Sequence, residues 1–322
     1  MKKFFIRKTF AAGILSLMAS TGLTSGANAA ACSISGTTSF GYTGAVETCD
    51  VTQAGTYGIT AIGANAGGAS YGAEISGNIN LASGEALTII VGQLGRQINT
   101  TSGETGGGGS FVFQGTGTGA IPLIVGGGGG GFEWGNGFLG NIQLANASLN
   151  PNGMSDASGT NPGGTNGGNG SGFVISGYPG DQGYGYITVL SNPANSSFGS
   201  FGGGGETENI GTVWTGGGGG GYSGGGGGAY INGAIYFGGG GGSYVVSSAT
   251  STSSQLYSGS TYGGSGAVLF NYGGLPSSQT GTTPTSIPEP SSLAILMAAL
   301  VGLGMAVRYK RKGPSQLNVG PI

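Results

Sequence analysis

The sequence predicts an all-β exported domain: an antiparallel β-sandwich with glycine-rich segments inserted between its strands, followed by one C-terminal transmembrane helix. Three observations carry this. Short stretches that alternate apolar and polar side chains recur between Thr37 and Val91, the period-two pattern of half-buried strands. No stretch between the two chain ends combines helical periodicity with capping residues. Glycine supplies 79 of 322 residues, against an average of about 7%, and it gathers in runs beside aromatic and branched side chains.

The chain opens with Lys2, Lys3, Arg7 and Lys8, an apolar stretch from Phe10 to Met18, and small residues ending Ala27-Asn28-Ala29. A basic start, a short apolar helix and an A-x-A site are the parts of a secretory signal peptide, here residues 1–29 with the cut after Ala29 and Ala31 as the alternative. Cys32 near the cut raises a lipoprotein reading, but Ala29 stands where the lipid-attachment motif has leucine. Cys32 and Cys49 are the two cysteines of the chain. Outside the inner membrane such a pair fits a structural disulfide, and a redox or metal pair would lack further ligands.

The first strands are expected at Thr38–Tyr42 and Val46–Val51. A turn at Ala54-Gly55 leads into Thr56–Ile62, where Tyr57, Ile59 and Ala61 share one face and Thr56, Thr60 and Ile62 the other. In Ala73–Leu81, Ile75, Ile79 and Leu81 alternate with polar partners, and after the turn at Ala82–Glu85 comes Ala86–Val91. Beyond Gly92 the texture changes to glycine runs at 106–109, 126–131, 202–205, 216–221, 224–228 and 238–242. Between them lie short apolar pieces at Ser110–Phe113, Ile121–Val125, Tyr184–Leu190 and Ser243–Val246, and Gly266–Tyr272 closes the domain, taken as residues 30–274.

A glycine run admits two readings. As a linker it stays loose, because glycine loses the most backbone entropy on ordering. As an ordered element it takes the polyproline II geometry, with three residues per turn and no internal hydrogen bonds. Every N–H and C=O then points sideways and needs a neighbouring strand. The near-purity of the runs, and the nearby Phe111, Val125, Phe132, Trp214, Tyr222, Tyr230, Phe237 and Tyr244, favour the ordered form.

These motifs in order are Phe40–Gly44, Ala54–Ala64, Ala86–Gly92, Leu123–Val125 before a glycine run, and Gly240–Tyr244. The set resembles the glycine-rich domain of bacterial surface proteins and of the anaplastic lymphoma kinase and leukocyte tyrosine kinase receptors. The resemblance spans most of residues 37–272. It implies a tumour-necrosis-factor-like β-sandwich with inserted polyglycine helices. The receptors' ligand-binding residues have no counterpart motif in this sequence.

Charge excludes several functions. Between Ala30 and Ile287, Arg96 is the sole cation against ten acids, a net charge of −9. Nucleic acid needs a positive footprint, so it is excluded as a partner. No histidine occurs anywhere, which removes Ser-His-Asp and Cys-His catalysis and the commonest zinc ligand. The glycine runs lack the Lys-Ser/Thr ending of a phosphate loop and the aspartates of calcium-binding nonapeptides. No enzyme, cofactor, catalytic or metal site is therefore expected. Glu206 and Glu208 would share a strand face, but a glycosidase needs two acids across a cleft, and a solvated acidic loop fits them better. Asp181 after Pro179-Gly180 reads as a turn residue. Tyr178, Tyr184, Tyr186, Trp214, Tyr222, Tyr230, Tyr236 and Tyr244 are either core and rim or exposed stacking platforms for sugar rings, the former favoured.

Residues 275–287 form a Ser/Thr/Pro-rich stalk. Pro288-Glu289-Pro290 then precedes a charge-free stretch from Ser291 to Val307, about 25 Å long as a helix. Arg308, Lys310, Arg311 and Lys312 follow and hold that end in the cytoplasm, together with a tail over 313–322. The order Pro-Glu-Pro, apolar span, basic cluster over residues 288–312 resembles the PEP-CTERM sorting signal of Gram-negative bacteria, although the chain continues past the cluster. The resemblance implies an exosortase-type processing enzyme as partner and transient anchoring in the inner membrane. It also implies release to the cell surface or extracellular space and association with exopolysaccharide and biofilm. The expected role is a structural protein of the extracellular matrix; the alternative is a surface module that binds carbohydrate or another ligand.

Overall fold

A computed structural model of the chain describes residues 30–32, 35–66, 70–96, 103–131, 145–170, 182–193, 200–205, 208–210, 213–258 and 264–274. The chain divides into a unit Met1–Leu275 and a unit Pro276–Ile322, and the second lies wholly outside the described residues. So do the signal peptide with Ala29, the stalk residues 276–287 and the expected span 291–307. Among the described residues no helix is long and apolar enough to cross a membrane.

The regular secondary structure of the described part consists almost entirely of strands. They are β1 (Ala30–Ala31), β2 (Thr37–Gly41), β3 (Glu47–Asp50), β4 (Gly55–Ile62), β5 (Gly72–Leu81), β6 (Ala86–Ile90), β7 (Ser110–Gln114) and β8 (Ile121–Gly126). After a helical turn α1 (Tyr186–Val189) come β9 (Glu208–Ile210), β10 (Val213–Thr215), β11 (Tyr230–Ile231), β12 (Ala234–Ile235), β13 (Tyr244–Val245), β14 (Thr250–Tyr257) and β15 (Ala267–Tyr272). Two sheets dominate: a six-stranded one in the order β1-β3-β6-β7-β8-β13 and a five-stranded one in the order β14-β5-β4-β15-β2.

Alternation in the sequence becomes alternation in burial. In β4, Tyr57, Ile59 and Ala61 are fully buried while Thr56, Gly58 and Thr60 are half-buried. In β5, Ile75, Ile79 and Leu81 turn inward in the same way. These side chains meet Cys49, Leu87, Ile89, Val112 and Ile124 of the other sheet and Val268 and Phe270 of β15 in one core. Phe40 and Phe270 meet edge to face, with centroids 5.8 Å apart. The buried Tyr57 hydroxyl donates to the Gln53 carbonyl at 2.7 Å, so its polar end is satisfied.

The six-stranded sheet is covered on both faces. Ile90, Phe111, Phe113 and Val125 point away from the main core into a second cluster with Val189, flanked by Tyr184, Tyr186 and Tyr222. Double coverage explains why Ser110–Phe113 and Ile121–Val125 read as continuous apolar runs rather than alternating ones.

The structure departs from the sequence reading in four places. Tyr184–Leu190, one of the apolar pieces, carries the helical turn α1, although the sequence predicts no helix between the chain ends. Strand β14 (Thr-Ser-Thr-Ser-Ser-Gln-Leu-Tyr) was not expected; it has no apolar alternation because it is an exposed edge strand. β1 runs parallel to β3, against the antiparallel rule of the rest. The hairpin β11–β12 turns on Asn232-Gly233, both at positive φ (52° and 84°), the pair a two-residue type I′ turn demands.

The glycine runs are buried and bonded to one another. Amides three residues apart donate to the same neighbour. Gly106 and Gly109 donate to Gly205 and Gly202, while Gly128 and Gly131 donate to Gly220 and Gly217. Gly238 and Gly241 in turn donate to Gly131 and Gly128, and Gly219 and Tyr222 to Gly239 and Gly242. The intervening amides point elsewhere: Gly107 to Gly129, Gly108 to Gln93 and Gly129 to Ala64. Where the runs end, buried hydroxyls complete the pairing. Ser110 accepts from the Gly92 amide, Ser243 from Gly127 and Ser223 from Gly167, at 3.0–3.1 Å.

Candidate functional site

The residues expected to carry sorting, Pro288, Glu289, Pro290, Arg308, Lys310, Arg311 and Lys312, lie outside the described residues, as do Tyr178, Asp181 and Glu206. Glu208 opens β9, opposite Thr215 of β10, so its partner in the expected acidic pair has no described position. Among the described residues no group of three or more Cys, Asp or Glu side chains could hold a metal ion.

Cys32 and Cys49 form a disulfide across 17 residues of sequence. It ties the N-terminal segment to β3 beside the parallel pair Ala30–Cys49 and Ala31–Asp50. Both cysteines are fully buried.

Among the described residues two acids are buried. Asp156 accepts from the Asn161 amide at 2.9 Å and from the Ser158 hydroxyl, and Asn161 in turn donates its side-chain amide to the Gly227 carbonyl at 2.6 Å. The Asp156 loop thus fastens residues 156–161 to the run 224–228, a structural role that consumes its carboxylate. Glu104 is 4% exposed, and its carbonyl accepts from Gly217, which places it against the run 216–221.

The tyrosines divide. Tyr186, Tyr222 and Tyr244 stack face to face, with centroids 4.9 and 4.4 Å apart, and Phe113 tilts against Tyr186 at 6.4 Å. Their rings lie on one another and on the outer face of the six-stranded sheet, as rim to the second cluster. Burial, and then the neighbouring Tyr186 and Tyr244, push the Tyr222 hydroxyl above its ordinary pKa. Tyr230 is 40% exposed on the β11–β12 hairpin.

At one end of the sandwich the edge strands β13 and β14 line a cleft of about 240 Å³. Ile75, Leu149, Pro151 and Tyr244 give it apolar surface, and Thr252 and Ser254 contribute hydroxyls. Sequence reasoning missed this site. Its residues come from four separated stretches of chain, and Tyr244 alone among them is a sequence candidate for sugar stacking.

No curated protein matches the chain. Residues 286–312 match the model of the PEP-CTERM protein-sorting motif, from Ser286 through Pro288-Glu289-Pro290 and the apolar stretch to Lys312 at the end of the basic cluster. The motif implies an exported surface protein whose sorting depends on an exosortase.

Proposed function

We propose that residues 30–274 are a non-enzymatic structural domain of the extracellular matrix, associated with exopolysaccharide and freed from the inner membrane by exosortase removal of the tail. In this reading residues 291–307 are the transient membrane helix and Arg308, Lys310, Arg311 and Lys312 its cytoplasmic stop. The observation that carries the structural role is the mutual bonding of the buried glycine runs, an interior made of backbone. Such an interior suits a scaffold that holds its shape without cofactor or partner. The three-residue spacing of donors supports reading the runs as polyglycine helices of the polyproline II type. Two sheets sharing one core support a tumour-necrosis-factor-like sandwich of the kind implied by the receptor glycine-rich domains.

The test is fractionation of cells that make the protein with and without an exosortase. With the enzyme, a species lacking the tail should appear in the matrix fraction. Without it, or with Pro288, Glu289 and Pro290 all changed to Ala, the full-length chain should stay in the inner membrane. Full-length protein in the membrane under both conditions would remove the processing step. A processed species found wholly in the culture fluid would remove the matrix role. The alternative of a carbohydrate-binding surface module is favoured by one observation, the cleft between β13 and β14.

A further inference from the structure

We infer that the cleft between the edge strands β13 and β14 is a binding site for one ring of a neutral sugar. The lining combines two chemistries. Leu149, Pro151 and the edge of the nearly buried Ile75 supply apolar surface. Beside Ile75, which pairs with Ser254 across the β5–β14 ladder, β14 presents Thr252 and Ser254. Their hydroxyls make no hydrogen bond among the described residues, unlike Ser253, whose hydroxyl pairs with Ser76 at 2.8 Å. Tyr244 closes one end, one ring face against Tyr222 and its hydroxyl likewise without a partner among the described residues.

Backbone adds a further pair of groups. The Ser243 amide donates to the Asn150 carbonyl, away from β8, and the Val246 amide donates to Leu123 of β8. Alternation along a strand therefore turns the Val245 N–H and C=O to the same side as Ser243, toward the cleft that Val245 lines.

A pyranose ring has this same division, a C–H face and a rim of hydroxyls that both donate and accept. The lining holds no charged side chain, so the ligand is uncharged. At about 240 Å³ the cleft falls below the roughly 300–1,000 Å³ of sites for drug-sized molecules, which sets the scale at a single ring. A peptide added as an extra strand fits less well. β13 has two residues, and the β14 ladder is irregular between Thr250 and Ser253, with Ser251 at φ 51°. The inference rests on the exported placement of the domain but not on its matrix role.

The experiment is saturation-transfer NMR on the full-length chain in a detergent without a sugar headgroup. The probes are D-glucose, D-galactose and cellotriose, with D-glucuronate and a Ser/Thr-containing tripeptide for comparison. Transfer to the ring protons of at least one neutral sugar, exceeding that to glucuronate and to the tripeptide, is the expected result. Ser254→Leu, at an exposed edge position, should fill the cleft and weaken binding by at least about tenfold with an unchanged unfolding temperature. The shape-preserving pair Thr252→Val and Ser254→Ala should do the same through lost hydroxyls alone. Absence of transfer to all three sugars, binding unaltered in both variants, or stronger transfer to glucuronate or the tripeptide would overturn the assignment. Failure here with the protein still present in the matrix fraction leaves the proposed structural role standing.

Discussion

At the scale of single residues, the interior is governed by what cannot be added. A methyl group on Gly219 would run into the Gly128 carbonyl, and one on Gly241 into the Gly220 carbonyl. In both cases the obstacle is backbone, which cannot swing aside as a side chain does. Gly219→Ala and Gly241→Ala should each destabilise by about 3 kcal/mol or more, the upper end of overpacking costs. Gly41→Ala, where nothing lies near the added methyl, should stay within about 0.5 kcal/mol. Denaturant unfolding of the three variants checks this. Tyr222 gives a second residue-level test. Its hydroxyl holds its proton more tightly in the folded state than at the ordinary pKa of 10.0. Below that value both states are protonated and the contribution is complete. Above it the unfolded chain ionises first, so stability falls as pH rises through the folded-state pKa. Melting temperature followed upward from roughly pH 9 should decline, and Tyr222→Phe should make the decline shallower.

At the scale of elements, the disulfide acts on the edge of the six-stranded sheet. β1 has two residues, and on that account its parallel pairing to β3 contributes little. Closing the 17-residue separation between Cys32 and Cys49 should stabilise by about 3 kcal/mol in the chain-entropy account. Replacing both cysteines by serine should lower stability by that order while the far-UV spectrum stays β. Legibility in the sequence followed coverage of each element. β4 and β5 could be read because one face is buried and one less so, which writes itself as alternation. β14 could not, since both its faces are exposed and its side chains are hydroxyls that suit a loop as well as a strand. Asn232-Gly233 was a readable turn signal that the surrounding glycine masked. The sorting signal was legible because an enzyme reads it as linear sequence, and Pro288, Glu289 and Pro290 fall within the matched motif. The cleft was not, because Ile75 and Ser254 become neighbours only through the pairing of β5 with β14, and Leu149 joins them from a segment outside the sheets.

At the scale of the whole molecule, two kinds of interior coexist. The sandwich core, with Tyr57 and Phe270, and the second cluster, with Phe111 and Phe113, exclude water with aromatic and branched side chains. The glycine runs exclude it with paired amides, completed by Ser110, Ser223 and Ser243. The two answer differently to temperature. Exposing apolar surface raises heat capacity by about 0.45 cal/mol/K per Å², whereas exposing polar surface lowers it by about 0.26. Melting the glycine lattice uncovers mostly amide, so the heat-capacity increment per residue should fall below the roughly 12–15 cal/mol/K usual for globular domains. Scanning calorimetry at several pH values measures it directly. A small increment flattens the curve of stability against temperature. A protein that leaves the cell, and with it the chaperones and the buffered interior, would then keep nearly the same margin of stability through cold and warmth alike.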